Sequence, residues 1–316
     1  VAISEFDLIR DYFSTRQQDR ADVSLGIGDD AALLQPPPGM ALAVSTDTLV
    51  DGVHFDRHCT PYDLGWKAAA VNLSDLAACG AEPAWVTLSL TLPEADDAWL
   101  SAFSDGLFAL LSCHDVQLVG GDTCRGPLAV TLQAHGFIPA GQALLRSGAR
   151  PGDDLYASGP LGLAGLALWS RQRGIELEQP SASAVFQALD RPEPRVELGQ
   201  RLRGLATSTI DISDGLLADL GHICSASGVG AVIDTDSLPP SAAFSACTRP
   251  LIDNGSLSTG DMLALQLTAG DDYQLCFTAP AAARESLADL GVQRIGRIDD
   301  RRGDIRCVDG QGRAHS

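Results

Sequence analysis

Apolar positions recur along this chain with two periods. Between Pro61 and Gly80, Leu64, Ala68, Val71 and Leu76 fall on one side of a helix. In "AWVTLSLTL", ending at Leu92, apolar and hydroxyl residues alternate as in a strand with one covered face. The two patterns take turns. Residues 4–14 read as an amphipathic helix, and "LGIGDDAALL" and "ALAVSTDTLV" as strands around the loop "QPPPGM". A helix over 94–112 precedes the strands "VQLVGG" and "PLAVTLQAHGFI". Gly148, Pro151 and Gly152 then interrupt the pattern, and "DLYASG" starts a new strand. A domain boundary is therefore expected near residue 150, giving domains 1–149 and 150–316. The second half reads as a helix from Leu161, helices near 183–190 and 195–206, the strand "TSTIDI", a helix from Asp214 and the strand "GAVIDT". The strands "YQLCFTA" and "VQRIGRI" flank a helix over 281–290. This order predicts two α/β or α+β domains. One weak echo joins the halves: "NLSDLAACG" and "DISDGLLADLG" each place Ser-Asp where a helix would begin, the serine as cap.

Charge narrows the function classes. The formal net charge of −19 argues against nucleic acid, whose binding depends on basic patches. No apolar run reaches membrane-spanning length, and "VAISEFDLIRDYF" lacks the basic-then-apolar order of a signal peptide. None of the eight cysteines forms a CxxC pair, so neither a zinc site nor a redox motif is expected. Reduced thiols and a cytoplasmic setting are expected instead.

The aspartates carry the chemistry. Asp29 and Asp30 in "GIGDDAAL", Asp47 in "STDT", Asp75 in "NLSD", Asp122 in "GGDT", and Asp211 and Asp214 in "DISDG" sit at expected strand ends or helix starts. Rigid sheets aim such positions at a common crevice. Each taken alone is an ordinary turn or cap residue. Carboxylates that converge repel one another and need cations or protons. Oxygen ligands without matching Cys or His point to Mg²⁺, and so many carboxylates to several ions on a polyphosphate. Lys67 is the only lysine, and no Gly-Lys pair exists, which excludes a Walker loop. The HRD and DFG set of protein kinases is absent as well. A bound ATP would rely on cations, on backbone N–H groups of Gly120-Gly121 and on arginines such as Arg146.

Taken together, "GIGDDAAL", "STDTLVDGVHF", "WKAAAVNLSDLAACGAEP", "GGDTCRG", "RSGARPGD", "DISDGLLADLGHI" and "AGDDYQLCF" resemble the thiamine-monophosphate kinase family. That family belongs to the superfamily of aminoimidazole ribonucleotide synthetase and selenophosphate synthetase. The resemblance runs from "EFDLI" to residue 278. It implies a fold of an N-terminal mixed sheet with helices on one face, pairing in a homodimer, and a C-terminal α/β sandwich. It implies transfer of the γ-phosphate of ATP directly to thiamine monophosphate, giving thiamine diphosphate and ADP. By the same resemblance Asp30, Ser45, Thr46, Asp47, Asp75, Asp122, Asp211 and Asp214 are metal ligands. Gly121, Asp122, Arg146 and Ser213 contact ATP, with Arg146 stabilising charge in transfer. His54 and Asp271 contact the acceptor. The acceptor phosphate is already ionised near neutral pH, so no general base is assigned. Two departures stand out. The family's "GGEDYEL" is "AGDDYQL" here, so Asp271 is one methylene shorter than the usual glutamate. The family often ends with an aromatic residue near the substrate ring, whereas no aromatic follows Phe277. Either the chain is shortened or another residue stacks on the ring. One rival reading is another enzyme of the superfamily, whose motifs fit less well; a second is a binding protein for nucleotide or thiamine phosphate that has lost catalysis, against which the intact aspartate set argues.

Overall fold

The computed structural model describes residues 8–16, 19–239 and 241–314. Residues 4–7 of the expected first helix lie outside these, as do the last two residues of the tail. Ile9–Ser14 form a short π-helical segment with Phe13 buried. The chain divides into two compact units, one of residues 1–76 and 81–142, the other of residues 77–80 and 143–316.

The first unit opens with a hairpin of β1 (Val23–Leu25) and β2 (Leu33–Leu34). "LGIGDDAALL" is thus not one strand. Its Gly-Asp centre is the loop between two short ones. The main sheet contains β3 (Met40–Val50), β4 (Glu82–Leu92), β5 (Gln117–Arg125) and β6 (Ala129–Pro139), in the order β3-β6-β4-β5. Only the β4–β5 pair is parallel. Helix α1 (Pro61–Ala78) joins β3 to β4, and α2 (Asp97–Cys113) provides the crossover that a parallel β4–β5 pair requires. The core takes Leu73 and Leu76 from α1, Leu100, Phe103 and Leu107 from α2, and Leu88, Leu90 and Leu132 from the sheet, all nearly inaccessible.

The second unit has a six-stranded sheet. Its strands are β7 (Asp154–Ala157), β8 (Ser208–Asp211), β9 (Gly230–Asp234), β10 (Leu275–Ala279), β11 (Gln293–Asp299) and β12 (Ile305–Val308), ordered β12-β9-β11-β7-β10-β8. Helices α3 (Leu163–Arg173), α4 (Ser181–Asp190), α5 (Val196–Arg201), α6 (Leu216–Ser227), α7 (Ala242–Asp253), α8 (Thr259–Thr268) and the short α9 (Arg284–Leu287) complete it. Leu155, Ile210, Cys276 and Ile295 of the strands pack with Leu220 and Ile223 of α6. A second cluster joins α3, α4 and α7 through Ala167, Val185, Phe244 and Leu251. A mixed sheet with its helices, followed by an α/β unit, matches the expected fold class.

Candidate active site

Strand β3 does not end at "STDT". It runs through to Val50, so Ser45 to Thr48 lie inside it with side chains on alternating faces. Ser45 and Asp47 face α1. The Ser45 hydroxyl donates to Asp75 Oδ2, and the Asp47 N–H donates to Asn72 Oδ1 at 3.1 Å. Burial, reinforced by the adjacent Asp75 carboxylate, pushes the Asp47 carboxyl up to about 6. Asp75 does not open a helix, as the Ser-Asp echo implies. It lies near the C-terminal end of α1, because the apolar period from Pro61 continues unbroken through it.

Thr46 and Thr48 face the other way. Gln133 donates to Thr46 Oγ1 at 3.2 Å, and the Thr48 and Thr131 hydroxyls are 2.8 Å apart. The Asp47 N–H leaves the sheet edge, so the Thr46 N–H and C=O turn toward β6. Thr46 therefore stands apart from the Asp47–Asp75 pair. At the end of β3, His54 Nδ1 accepts from the Val50 N–H at 3.1 Å, which leaves the ring proton on the exposed Nε2.

A second group forms along the edge strand β5. Gly120, Gly121 and Asp122 lie within this strand rather than after it. A Cβ at Gly121 would sit 1.9 Å from the Leu88 carbonyl oxygen, so no side chain fits there. Asp122 pairs with Ser89, which pairs with Thr131, so Asp122 shares the sheet face of Thr48, opposite Asp47. Beside β5 a cavity of about 550 Å³ is lined by the Gly26–Ala32 loop, including Asp29 and Asp30, and by Gly121 and Asp122. Ile9, Phe13, Leu118 and Val119 supply its apolar wall. That volume suits a nucleotide-sized ligand.

The remaining expected residues belong to the second unit. Asp211 ends β8 and is buried, while Ser213 and Asp214 are exposed on the loop before α6. That loop is held by a residue the sequence reading missed. Asp219, 2% exposed, accepts at Oδ2 from the N–H groups of Ser213, Asp214 and Gly215, each at 3.1 Å. Ser213 is not itself the cap. The signal was present, since Asp219 sits on the apolar face of α6 between Leu216 and Leu220, where an unsatisfied carboxylate would not be tolerated. Asp271 lies on the turn into β10. Its neighbour Asp272, also missed, accepts from the Gly162 N–H at 2.8 Å at the start of α3. Burial pushes the Asp272 carboxyl up to about 7, although the N–H groups of Gly162 and Ala164 oppose this. Arg146 is exposed, and its carbonyl accepts from Ser227 Oγ at 3.3 Å.

Among the described residues, no three His, Cys, Asp or Glu side chains converge as a metal site. Within the first unit the aspartates form a pair at Asp47–Asp75 and a cavity rim at Asp29, Asp30 and Asp122; Asp211 and Asp214 belong to the second unit. The pair fits a hard cation all the same. Its donors are oxygens only, its carboxylates are near enough to raise Asp47, and Mg²⁺ takes one or two carboxylates plus waters and phosphate oxygens.

This arrangement has relatives. Residues 28–138 match the family described as AIR synthase related protein, N-terminal domain, and residues 150–308 match its C-terminal domain. The thiamine-monophosphate kinase of Salmonella typhimurium strain LT2 is 52% identical over 298 residues, 94% of this chain and 88% of the relative. That of Escherichia coli strain K12 is 50% identical over the same coverage. Among solved structures, the thiamine-monophosphate kinase of Stenotrophomonas maltophilia K279a superposes with a TM-score of 0.87 at 47% identity, covering 100% of this chain and 99% of that one. AaThiL complexed with AMPPCP and TMP gives 0.77 at 30% identity, covering 99% and 97%. The class is thus that of the AIR synthase related proteins. Within it, the chain belongs to the thiamine-monophosphate kinase family. No helix among the described residues is long and apolar enough to cross a membrane.

Proposed function

We propose that this chain phosphorylates thiamine monophosphate at the expense of ATP, by in-line transfer of the γ-phosphoryl group onto the acceptor phosphate. The family carries the activity. The observation that carries the mechanism is the Asp47–Asp75 pair, two neighbouring carboxylates with a serine hydroxyl on one of them. Donor and acceptor are both anions and repel. Mg²⁺ bound at such carboxylates would supply the charge and coordination that hold two phosphates together. Asp47, Asp75 and Ser45 present the oxygens of one site. Asp30 and Asp122 at the cavity, and Asp211 and Asp214 beyond β8, are proposed for further ions. Thr46 turns to the face of β3 opposite Asp47, the one that Asp122 shares, and is proposed for a further ion there.

The cavity beside Gly121 and Asp122 is proposed to take the nucleotide, its base against Phe13 and Val119. Arg146 and Ser213 are proposed to meet the phosphates. A planar guanidinium can follow charge that spreads over the equatorial oxygens in transfer. His54 offers Nε2–H, and Asp271 a carboxylate, to the acceptor. An ionised acceptor phosphate attacks without a general base. On the face of β3 turned away from α1, Met40, Leu42 and Val44 are 39, 46 and 52% exposed. An apolar strip on an edge strand supports the homodimer through this sheet. The eight cysteines are free, which supports a reducing, cytoplasmic setting.

The test is activity against free Mg²⁺ at fixed ATP. Turnover is expected to keep rising beyond one equivalent per ATP, and Asp75→Asn to fold normally while losing most activity, with partial recovery at raised Mg²⁺. Saturation at one equivalent, or a near-normal Asp75→Asn at ordinary Mg²⁺, would rule out the metal role.

A further inference from the structure

The turn before β10 has an unusual backbone. Asp271 has φ 64° and Tyr273 has φ 47°, both in the left-handed region that L side chains avoid. A tyrosine there is a stronger outlier than an aspartate, which tolerates the region through local hydrogen bonds. The surrounding contacts impose this shape. The Asp271 N–H donates to the Ser213 carbonyl at 2.9 Å, and the Tyr273 N–H to the Ile212 carbonyl at 2.8 Å. Gly270 makes the approach possible, because a Cβ there would lie 2.2 Å from the Ser213 carbonyl oxygen. Asp272, between the two strained residues, is fixed by the Gly162 N–H. Strain held by so many constraints marks a segment whose shape is used.

That shape brings the Tyr273 hydroxyl to 3.0 Å from Asp271 Oδ1. Tyr273 is 8% exposed, so its ring is held by packing. We propose that Tyr273 is a positioning residue for the acceptor: its hydroxyl fixes the Asp271 carboxylate so that this carboxylate selects a ligand bearing a cationic ring and an exocyclic amine. The inference rests on the reading of Asp271 as the acceptor contact. The phenol donor limits the rotation of the short Asp271 side chain. A charge-assisted bond of this kind both orients an acceptor oxygen and restricts the carboxylate plane.

Tyr273→Phe removes the hydroxyl and keeps the ring. The KM for thiamine monophosphate is expected to rise about fivefold, in the range of one ordinary hydrogen bond. The KM for ATP and kcat are expected to change less than twofold, because the contact forms equally in ground and transition states. Asp271→Ala should raise the same KM, and adding Tyr273→Phe to it should then have no further effect. If Asp271→Ala raises that KM and Tyr273→Phe does not, the positioning role is overturned while the acceptor reading stands. If neither moves it, the acceptor reading of Asp271 falls. Additive effects in the double variant, or a phenylalanine variant that loses its fold, would make Tyr273 a structural residue and overturn the proposal.

Discussion

Two aspartates, Asp47 and Asp272, are raised above ordinary carboxylate behaviour, both mainly by burial. Asp47 is raised by burial beside a second carboxylate, the arrangement that a cation relieves. Asp272 is raised by burial itself, although it accepts N–H groups at the start of α3. For Asp272 the consequence is a stability that depends on pH. Its carboxyl titrates near 3.8 in the unfolded chain and at about 7 when folded. Its stabilising share is therefore complete below pH 3.8 and is lost as pH rises through 7. Asp272→Asn cannot ionise, yet its amide oxygen can still accept the Gly162 N–H. The melting temperature of the asparagine variant relative to wild type is expected to increase from pH 5 to pH 8, by a few degrees. A constant difference across that range would show that Asp272 is ionised throughout. Sequence alone marked Asp271 and passed over Asp272, because adjacent aspartates on a loop read alike until burial distinguishes them.

At the scale of elements, the legible parts were those with strong periodicity. α1, α2, β4 and β6 stand where the apolar pattern placed them. The errors share a cause, which is that a sequence cannot show where a strand ends when polar residues continue it. "STDT" and "GGDT" read as strand ends, but β3 and β5 carry them inside, on edge strands whose outer positions tolerate polar side chains. α7 went unread with Pro250 in its interior, and α8 with glycine in its first turn. β12 is only four residues long. The candidate residues were legible by type and motif. Their grouping was not, because a one-residue step along β3 separates Thr46 from Asp47 by the thickness of the sheet. The loop before α6 illustrates what packing adds, since one carboxylate there holds three N–H groups. Asp219→Ala leaves those donors without their acceptor, at a cost of about 1–3 kcal/mol by urea denaturation. It should also raise the KM for ATP by loosening Ser213 and Asp214. Asp219→Asn retains an acceptor oxygen and should recover most of both. Equal losses in the two variants would mean that the charge, and not the acceptor geometry, matters.

At the scale of the whole molecule, the candidate residues divide between two compact units. The first unit holds the paired carboxylates and the cavity, and the second holds Arg146, the α6 loop and the Asp271 turn. Each unit is stabilised by its own core, and each matches its own family domain. The proposed transfer runs between two phosphates, and no residue is assigned to activate water. The most direct measurement is product formation by the purified chain with ATP, Mg²⁺ and thiamine monophosphate, separated by chromatography with both products quantified. The expected result is thiamine diphosphate and ADP in equal amounts, with negligible ADP when thiamine monophosphate is omitted. ADP release independent of thiamine monophosphate, or no thiamine diphosphate at saturating substrates, would contradict it.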